Sequence, residues 1–210
     1  MNTNKCDITV VLDRSGSMSS IAKDMIGGFD AFIAEQKKLP GEAVLTLVQF
    51  DTEYNFVLQG VPLKDVPGLV LEPRGGTALL DAVGRAITET GERLSKMPES
   101  ERPEKVVFMV ITDGEENSSH EFKKPQIQEK IKHQQDVYKW QFVFLGANQD
   151  AFAEAGGMGI NLANVSNYKN TPKSIFAALQ ATSANLASYR AGATVGMAYS
   201  NEQKAKIESE

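Results

Sequence analysis

The 210-residue sequence predicts an α/β protein with three layers, in which helices cover both faces of a doubly wound, mostly parallel central sheet. Apolar runs of strand length alternate with amphipathic helical patterns along most of the chain. The runs VVFMVIT and FVFL are apolar at both alternating positions, as strands covered on both faces require. The piece VLTLVQFDTEYNFVL holds two short strands around a turn, which predicts one antiparallel strand at the edge of the sheet.

The predicted strands are short segments rich in β-branched, aromatic and leucine residues. They cover residues 8–12, 44–50, 56–58, 106–112 and 142–145, and a final strand is expected within INLANV at 160–165. Helical patterns lie between most of these segments, which is typical of parallel strands joined by crossover helices.

Helices are predicted where apolar residues recur at spacings of three and four. They are expected after the DRSGS turn, after the GGT turn at 75–77, from Pro125, within 147–159, and from Pro172 to about Gly192. Pro40 and Gly41 end the first helix. Thr171 directly before Pro172 is typical of a residue that caps the start of a helix.

Residues 1–192 are expected to form one domain, because neither a linker nor an internal repeat interrupts the pattern. The remaining residues, 193–210, form a polar tail. Ser200 and Gln203 have the spacing of a capping box, so this tail either docks as a short helix or frays.

Composition argues against several classes of function. The net charge of −5 and the isoelectric point near 5.2 disfavour a nucleic-acid partner, which usually meets a basic protein face. No run of eighteen apolar residues occurs, so no membrane span is expected. Cys6 is the single cysteine and no export signal is visible, which together predict a reducing, cytoplasmic compartment.

Side chains that carry oxygen lie at the ends of separate predicted strands. Asp13, Ser15 and Ser17 come at the end of the first strand, Thr77 precedes the second helix, and Asp113 follows the strand VVFMVIT. Because the carboxyl ends of parallel strands meet at one edge of the sheet, we expect these five side chains to converge. Two carboxylates and three hydroxyls suit a hard divalent cation, Mg²⁺ or else Mn²⁺ or Ca²⁺.

Zinc is not expected at this edge of the sheet. It prefers nitrogen and sulfur ligands. Cys6, His120 and His133 do not show the spacing of a zinc site.

Each of the five candidate ligands also has an ordinary structural explanation. Ser15 and Ser17 are good caps for the first helix, and Thr77 is a good cap for the second. Asp113 followed by Gly114 is a common turn after a strand. These explanations would have to coincide in three loops that are remote in sequence, so we favour the metal site.

The elements DRSGS, GGT and TDG, in this order, resemble the von Willebrand factor type A domain with its metal-ion-dependent adhesion site. The resemblance covers residues 7 to about 190 and is strongest to stand-alone bacterial or phage versions of the family. It implies a Rossmann-like sheet with one antiparallel edge strand. It also implies that Ser15, Ser17 and, depending on the state of the domain, Thr77 touch the metal. Asp13 and Asp113 would act directly or through water, and a partner carboxylate would complete the shell.

Further residues are expected at the rim where a partner would bind: Arg14, Gly76, Gly114 and Glu115. Arg14 lies between two proposed ligands in the chain, and we expect it to steer an acidic partner. Glu115 and Glu116 either extend the site or form a solvated loop, and the loop is favoured because runs of charge usually face water. Asn148 and Asp150 either shape the rim or cap the next helix.

The sequence thus predicts a non-enzymatic, metal-dependent module for protein binding, of adhesion or adapter type, whose partner supplies an Asp or Glu carboxylate. A cation held largely by neutral hydroxyls keeps more of its charge than one enclosed by carboxylates, so it attracts an external carboxylate. The alternative is a Mg²⁺-dependent phosphohydrolase with Asp13 as the nucleophile. Such an enzyme needs a second carboxylate two residues later, where this chain has Ser15, and usually a lysine near the phosphate.

Overall fold

A computed structural model describes residues 1–147 and 151–210, which contain a six-stranded sheet in the order β3-β2-β1-β4-β5-β6. The strands are β1 (Asn2–Asp13), β2 (Glu42–Phe50), β3 (Tyr54–Pro62), β4 (Pro103–Thr112), β5 (Gln141–Ala147) and β6 (Val165–Tyr168). All neighbouring strands pair in parallel except β2 and β3, which form an antiparallel hairpin at the edge. The predicted fold class is confirmed.

Helices flank this sheet on both faces. They are α1 (Ala22–Lys37), α2 (Leu79–Ser95), α3 (Lys124–Tyr138), α4 (Ala151–Gly157), α5 (Pro172–Arg190) and α6 (Asn201–Ser209). One buried apolar cluster joins the sheet to α1, α5 and α6, and a second joins its other face to α2, α3 and α4. The alternating faces of the doubly apolar strands account for both clusters, because successive side chains point to opposite sides. None of the described helices is both long and apolar enough to cross a membrane.

The last strand lies later in the chain than the sequence suggested. Instead of a strand at 160–165, the structure has a short 3-10 helix at Leu162–Asn164, and β6 begins at Val165. The Asn161 side chain accepts a hydrogen bond from Ala163 N at 3.0 Å, which turns the backbone before the strand starts. Asn164 then donates from its side chain to the Phe142 carbonyl at 2.9 Å, so this polar turn is fixed to β5.

The C-terminal residues 193–210 pack against the domain. Met197, Tyr199 and Ile207 are buried in the cluster on the α1 and α5 side. The Ser174 hydroxyl of α5 donates to the Ile207 carbonyl at 2.6 Å, and Ser200 caps α6 by accepting from Gln203 N. The apolar core therefore includes side chains on both sides of residue 192.

Replacing Ile207 with alanine is expected to lower the free energy of unfolding by about 2–4 kcal/mol, because the side chain is 1% exposed and leaves a cavity in the core. Val195→Ala is the control, since Val195 is 98% exposed and touches no core. Chemical denaturation of both variants measures the difference. Equal stability of the two variants would mean that α6 contributes nothing to the fold.

Strand register places the candidate ligands at one edge of the sheet. Leu12 of β1 lies opposite Ile111 of β4, and Asp13 lies opposite Phe50 of β2. Since these strands run in parallel, the residues that follow each of them leave the sheet on the same side. Asp13 and Asp113 therefore emerge next to each other.

Candidate metal centre

Asp13 is the buried base of the candidate site. Its side chain is 0% exposed, and its two carboxylate oxygens each accept a hydrogen bond of 2.6 Å, one from Ser15 N and one from the Thr112 hydroxyl. The Thr112 hydroxyl also bonds to the backbone of Gly114. Asp13 is therefore held in one orientation by both the β1 loop and the end of β4.

The two serines of the β1 loop point towards the carboxylates. Ser15 Oγ lies 3.0 Å from Ser17 Oγ, and the Ser17 hydroxyl donates to Asp113 Oδ1 at 2.6 Å. Ser15 stands before a short 3-10 helix at Gly16–Ser20, but its side chain makes no capping hydrogen bond there. The capping explanation is therefore wrong for Ser15.

Thr77 brings the third loop to the same place. It is 2% exposed, and the residue at the cap of α2 is Ala78, not Thr77. A Cβ atom built on Gly114 would lie 2.9 Å from Thr77 Oγ1, 3.5 Å from Ser17 Oγ and 3.7 Å from Asp13 Oδ2. Oxygens of the β1 loop and of the Thr77 loop thus face one small volume beside Gly114, and the hydrogen bond from Ser17 brings Asp113 of the loop after β4 next to them.

Burial perturbs both carboxylates. It raises the pKa of Asp13 to about 6, against the opposing effect of the Thr112 and Ser15 hydrogen bonds, and the Asp113 charge adds to the rise. Burial also raises the pKa of Asp113, while the hydrogen bond from Ser17 opposes the change. Two neighbouring buried carboxylates are costly to ionise, and a bound cation would offset that cost.

The donor set fits a hard cation. Asp113 Oδ2 is buried and has no hydrogen-bond partner in the part of the chain that the structure describes. Every candidate ligand offers oxygen, which suits Mg²⁺, Mn²⁺ or Ca²⁺ better than a soft metal. Within residues 1–147 and 151–210, no group of three or more His, Cys, Asp or Glu side chains could hold a metal, so a site here must use hydroxyls.

Arg14 does not occupy the position predicted for it. Its side chain is 10% exposed, and its Nε donates to Asp51 Oδ2 at 2.8 Å. The side-chain oxygen of Asn55 accepts from both terminal nitrogens of Arg14 at 3.0 Å. The prediction that Arg14 projects from the rim to steer an acidic partner is wrong, because its charge is already paired beneath the loop.

The other predicted rim residues lie around the site. Gly76 packs under the loop after Asp113, because a Cβ there would come within 2.5 Å of Ser118 Oγ and 2.9 Å of Asn117 Oδ1. Gly114 borders the volume that the ligand oxygens face, and Glu115 is exposed to solvent. Asn148 and Asp150 lie outside the described residues.

Sequence reasoning missed two residues that fix this loop. Glu116 Oε2 accepts from Leu80 N at 2.9 Å, so it caps the N-terminus of α2 instead of lying in a solvated loop, which corrects the prediction for Glu116. The Asn117 side chain accepts from Thr77 N at 2.9 Å, and Asn117 N donates back to the Thr77 carbonyl at 3.0 Å. The sequence held one signal for this role. Ala78, directly before α2, has no side-chain oxygen that could cap the helix, so another residue has to accept from the first amides of α2.

No family model and no curated protein matches the sequence. Solved structures do match the fold. Proximal thread matrix protein 1 from the mussel byssus, in a form with a zinc-occupied MIDAS motif, aligns with 87% of this chain at a TM-score of 0.60 and 15% identity. A von Willebrand factor type A structure from Catenulispora acidiphila aligns with 86% of it at a TM-score of 0.57 and 16% identity. The vWF domain of the type V pili tip protein Mfa5 from Porphyromonas gingivalis aligns with 87% at 0.57 and 10% identity.

The chain has the von Willebrand factor type A fold. It spans 46% of the mussel chain and 42% of the Catenulispora chain, but 95% of the Mfa5 chain. At these identities the likeness establishes the fold, and the sequence resemblance to this fold is confirmed. In this von Willebrand factor type A fold, the DRSGS, GGT and TDG segments lie together at the carboxyl edge of the sheet.

Proposed function

We propose that the protein is a non-enzymatic, metal-dependent module for protein binding. Asp13, Ser15, Ser17, Thr77 and Asp113 would hold Mg²⁺, with Mn²⁺ or Ca²⁺ as substitutes, and an Asp or Glu of a partner protein would complete the shell. The observation that carries the proposal is the approach of Thr77 Oγ1, Ser17 Oγ and Asp13 Oδ2 to the volume beside Gly114. Asp113 is joined to them by the hydrogen bond from Ser17, and its Oδ2 is buried without a partner among the described residues.

The metal would supply the positive charge that attracts the partner carboxylate. The protein ligands determine how much of that charge remains available. Three of the five proposed ligands are neutral hydroxyls, so they leave much of the positive charge available to an incoming anion. Ser17 is exposed whereas Asp13 and Ser15 are buried, so a partner would approach from the Ser17 side. Gly16, Ser19 and Ser20 are also exposed there and add no charge that would repel a carboxylate.

Proteins with the same fold support this chemistry. The mussel protein holds zinc in its MIDAS motif, and Mfa5 is a pili tip protein. Because the present chain covers less than half of the mussel protein, only the local metal chemistry is carried over. Zinc therefore belongs in any test of metal preference, although the all-oxygen donor set favours a harder ion.

The geometry around Asp13 favours binding over hydrolysis. A nucleophilic carboxylate must reach a substrate phosphorus atom, but Asp13 is 0% exposed and both of its oxygens accept hydrogen bonds. Ser15 stands where a phosphohydrolase of the alternative type would need its second carboxylate. We also propose, from composition, a cytoplasmic protein that binds neither nucleic acid nor membrane.

The direct test is capture of a partner from the source cell by the immobilised protein. The expected result is a protein retained in Mg²⁺ and released by EDTA, and not retained by Asp13→Ala. Asp136→Ala is the control, because Asp136 is exposed on α3, is separated in sequence from the three loops, and has its carboxylate paired with Lys132. A partner held equally by all variants, with and without EDTA, would contradict the proposal.

A further inference from the structure

Asp51 is a buried carboxylate that the proposed metal site does not use. It follows β2 directly and is 1% exposed. Its Oδ2 accepts hydrogen bonds from Arg14 Nε at 2.8 Å and from Arg74 Nε at 2.9 Å. Its Oδ1 accepts from Glu53 N at 2.6 Å, which closes the turn between β2 and β3. Arg14 and Arg74 offset the cost of burying the Asp51 carboxylate, because an unpaired buried charge would destabilise the fold.

The two arginines belong to two different ligand loops. Arg14 lies between Asp13 and Ser15, and Arg74 leads into the Gly75-Gly76-Thr77 segment. Backbone bonds join the same loops: Arg74 N donates to the Arg14 carbonyl at 2.8 Å, and Gly16 N donates to the Gly75 carbonyl at 3.1 Å. The Asp51 carboxylate therefore lies where the loop of the serines meets the loop of the threonine.

Asp51 also touches the threonine loop through its backbone. Its carbonyl accepts from Ala78 N at 2.9 Å, directly after Thr77. On the other side of Thr77, Gly75 has a φ of +67°, and a Cβ built there would be in ordinary van der Waals contact with Asp51 Cβ, at 3.5 Å. Asp51 therefore lies against the chain on both sides of Thr77.

We infer that Asp51 is a positioning residue that sets the separation between Thr77 and the two serines, and so determines the affinity of the site for its cation. This inference rests on the proposed function, because it assumes that these hydroxyls bind a metal. Groups that orient metal ligands without touching the metal typically change affinity when they are replaced. Asp51 differs from the two proposed carboxylate ligands in that two arginines already compensate its charge.

Asp7 provides a matched control for a test of Asp51. It is also a buried aspartate in the sheet, 0% exposed, and its carboxylate accepts two hydrogen bonds of 2.8 Å from Arg93. It lies in the first half of β1, six residues before Asp13. Replacing either aspartate with asparagine leaves a buried arginine without its full partner, so both variants should unfold at a lower temperature.

Calorimetric titration with Mg²⁺ and with Mn²⁺ then separates the two aspartates. Asp51→Asn is expected to weaken metal binding by about 10–100-fold, and Asp7→Asn is expected to bind as the wild type does. If the wild type binds metal and Asp51→Asn binds as tightly as Asp7→Asn, the inference is wrong and the proposed function stands. If the wild type binds neither ion, the proposed function fails and the inference fails with it.

Arg74→Ala separates the effect of loop position from the effect of charge. It should disturb folding less than Asp51→Asn does, because the Arg74 side chain is 53% exposed. Removing a positive charge near a cation site should tighten metal binding if charge alone matters. Removing the Arg74 side chain, which joins the threonine loop to Asp51, should instead weaken metal binding if the position of the loop matters. We expect weaker binding, by about 3–10-fold, below the range usual for loss of a whole orienting group. Unchanged or tighter binding in Arg74→Ala would overturn the inference, whatever the behaviour of Asp51→Asn.

Discussion

Asp13→Asn is expected to abolish Mg²⁺ binding and, at the same time, to make the metal-free protein more stable. Affinity should fall by more than about 100-fold, beyond the loss usual for a residue that only orients a ligand. The metal-free protein should gain about 1–3 kcal/mol in its free energy of unfolding at pH 7, because burial disfavours the charged carboxylate. Asparagine keeps one acceptor for Ser15 N, and the Thr112 hydroxyl can accept from its amide.

The stability gain should depend on pH in a defined direction. Burial raises the pKa of Asp13 from an ordinary value of 3.8 to about 6 in the folded protein. The folded state therefore holds the proton more tightly than the unfolded state, and this contribution to stability is fully present below pH 3.8. It is lost as the pH rises through about 6, so the advantage of Asp13→Asn should appear across this interval and vanish below it.

Chemical denaturation in EDTA from pH 3.5 to 8 measures this dependence, and calorimetry with Mg²⁺ at pH 7 measures affinity. Asp7→Asn is the control with the opposite sign, because that aspartate is paired with Arg93 and its loss should destabilise the protein. A metal-free Asp13→Asn protein that is less stable than the wild type at pH 7 would mean that Asp13 is a structural acceptor. Protection of the wild type by Mg²⁺ should follow the same titration, since the cation binds the ionised carboxylate.

Much of the fold and of the candidate site follows from local patterns in the sequence. Strands that are apolar on both faces, such as VVFMVIT, require helices on both sides, and that fixes the layers. Once the strands are parallel, their carboxyl ends share an edge, and Asp13 and Asp113 must approach one another. Neither the layers nor the shared edge required knowledge of a contact between residues remote in sequence. The resemblance to the von Willebrand factor type A fold added the expected roles of the ligands, which periodicity does not provide.

Pairing between remote side chains could not be predicted in the same way. Arg14 looks exposed in sequence because it follows a strand and stands among small polar residues, yet its partner Asp51 lies 37 positions away. Glu116 is equally ambiguous, because a run of acids after a strand is usually solvated, while here it caps a helix 36 positions earlier. Both errors concern charged residues whose burial depends on how two loops meet. The neighbourhood of Asp13 and Asp113 was easier to predict, because these residues follow two adjacent parallel strands.

The second large effect is expected from Gly114→Ala, which adds one methyl group to the volume that the ligand oxygens face. Gly114 has no left-handed backbone angle, so alanine fits its conformation. The new Cβ would nevertheless lie 2.9 Å from Thr77 Oγ1, closer than real Cβ atoms come to a neighbour, and 3.5 Å from Ser17 Oγ. Thr77 must therefore move away, and we expect metal affinity to fall by at least about 10-fold while the protein still folds.

Gly27→Ala is the matched control for this substitution, because a Cβ at Gly27 in α1 would meet nothing within 4 Å. That variant should be more stable by about 0.5–1 kcal/mol, since alanine is the better helix former, and it should bind Mg²⁺ as the wild type does. Gly114→Ala should instead lose binding without a matching loss of stability, because the metal-free site can relax around the methyl group. If Gly114→Ala binds Mg²⁺ with unchanged affinity, the volume beside Gly114 is not where a cation sits. The oxygens of Asp13, Ser17 and Thr77 would then surround Gly114 without serving as ligands.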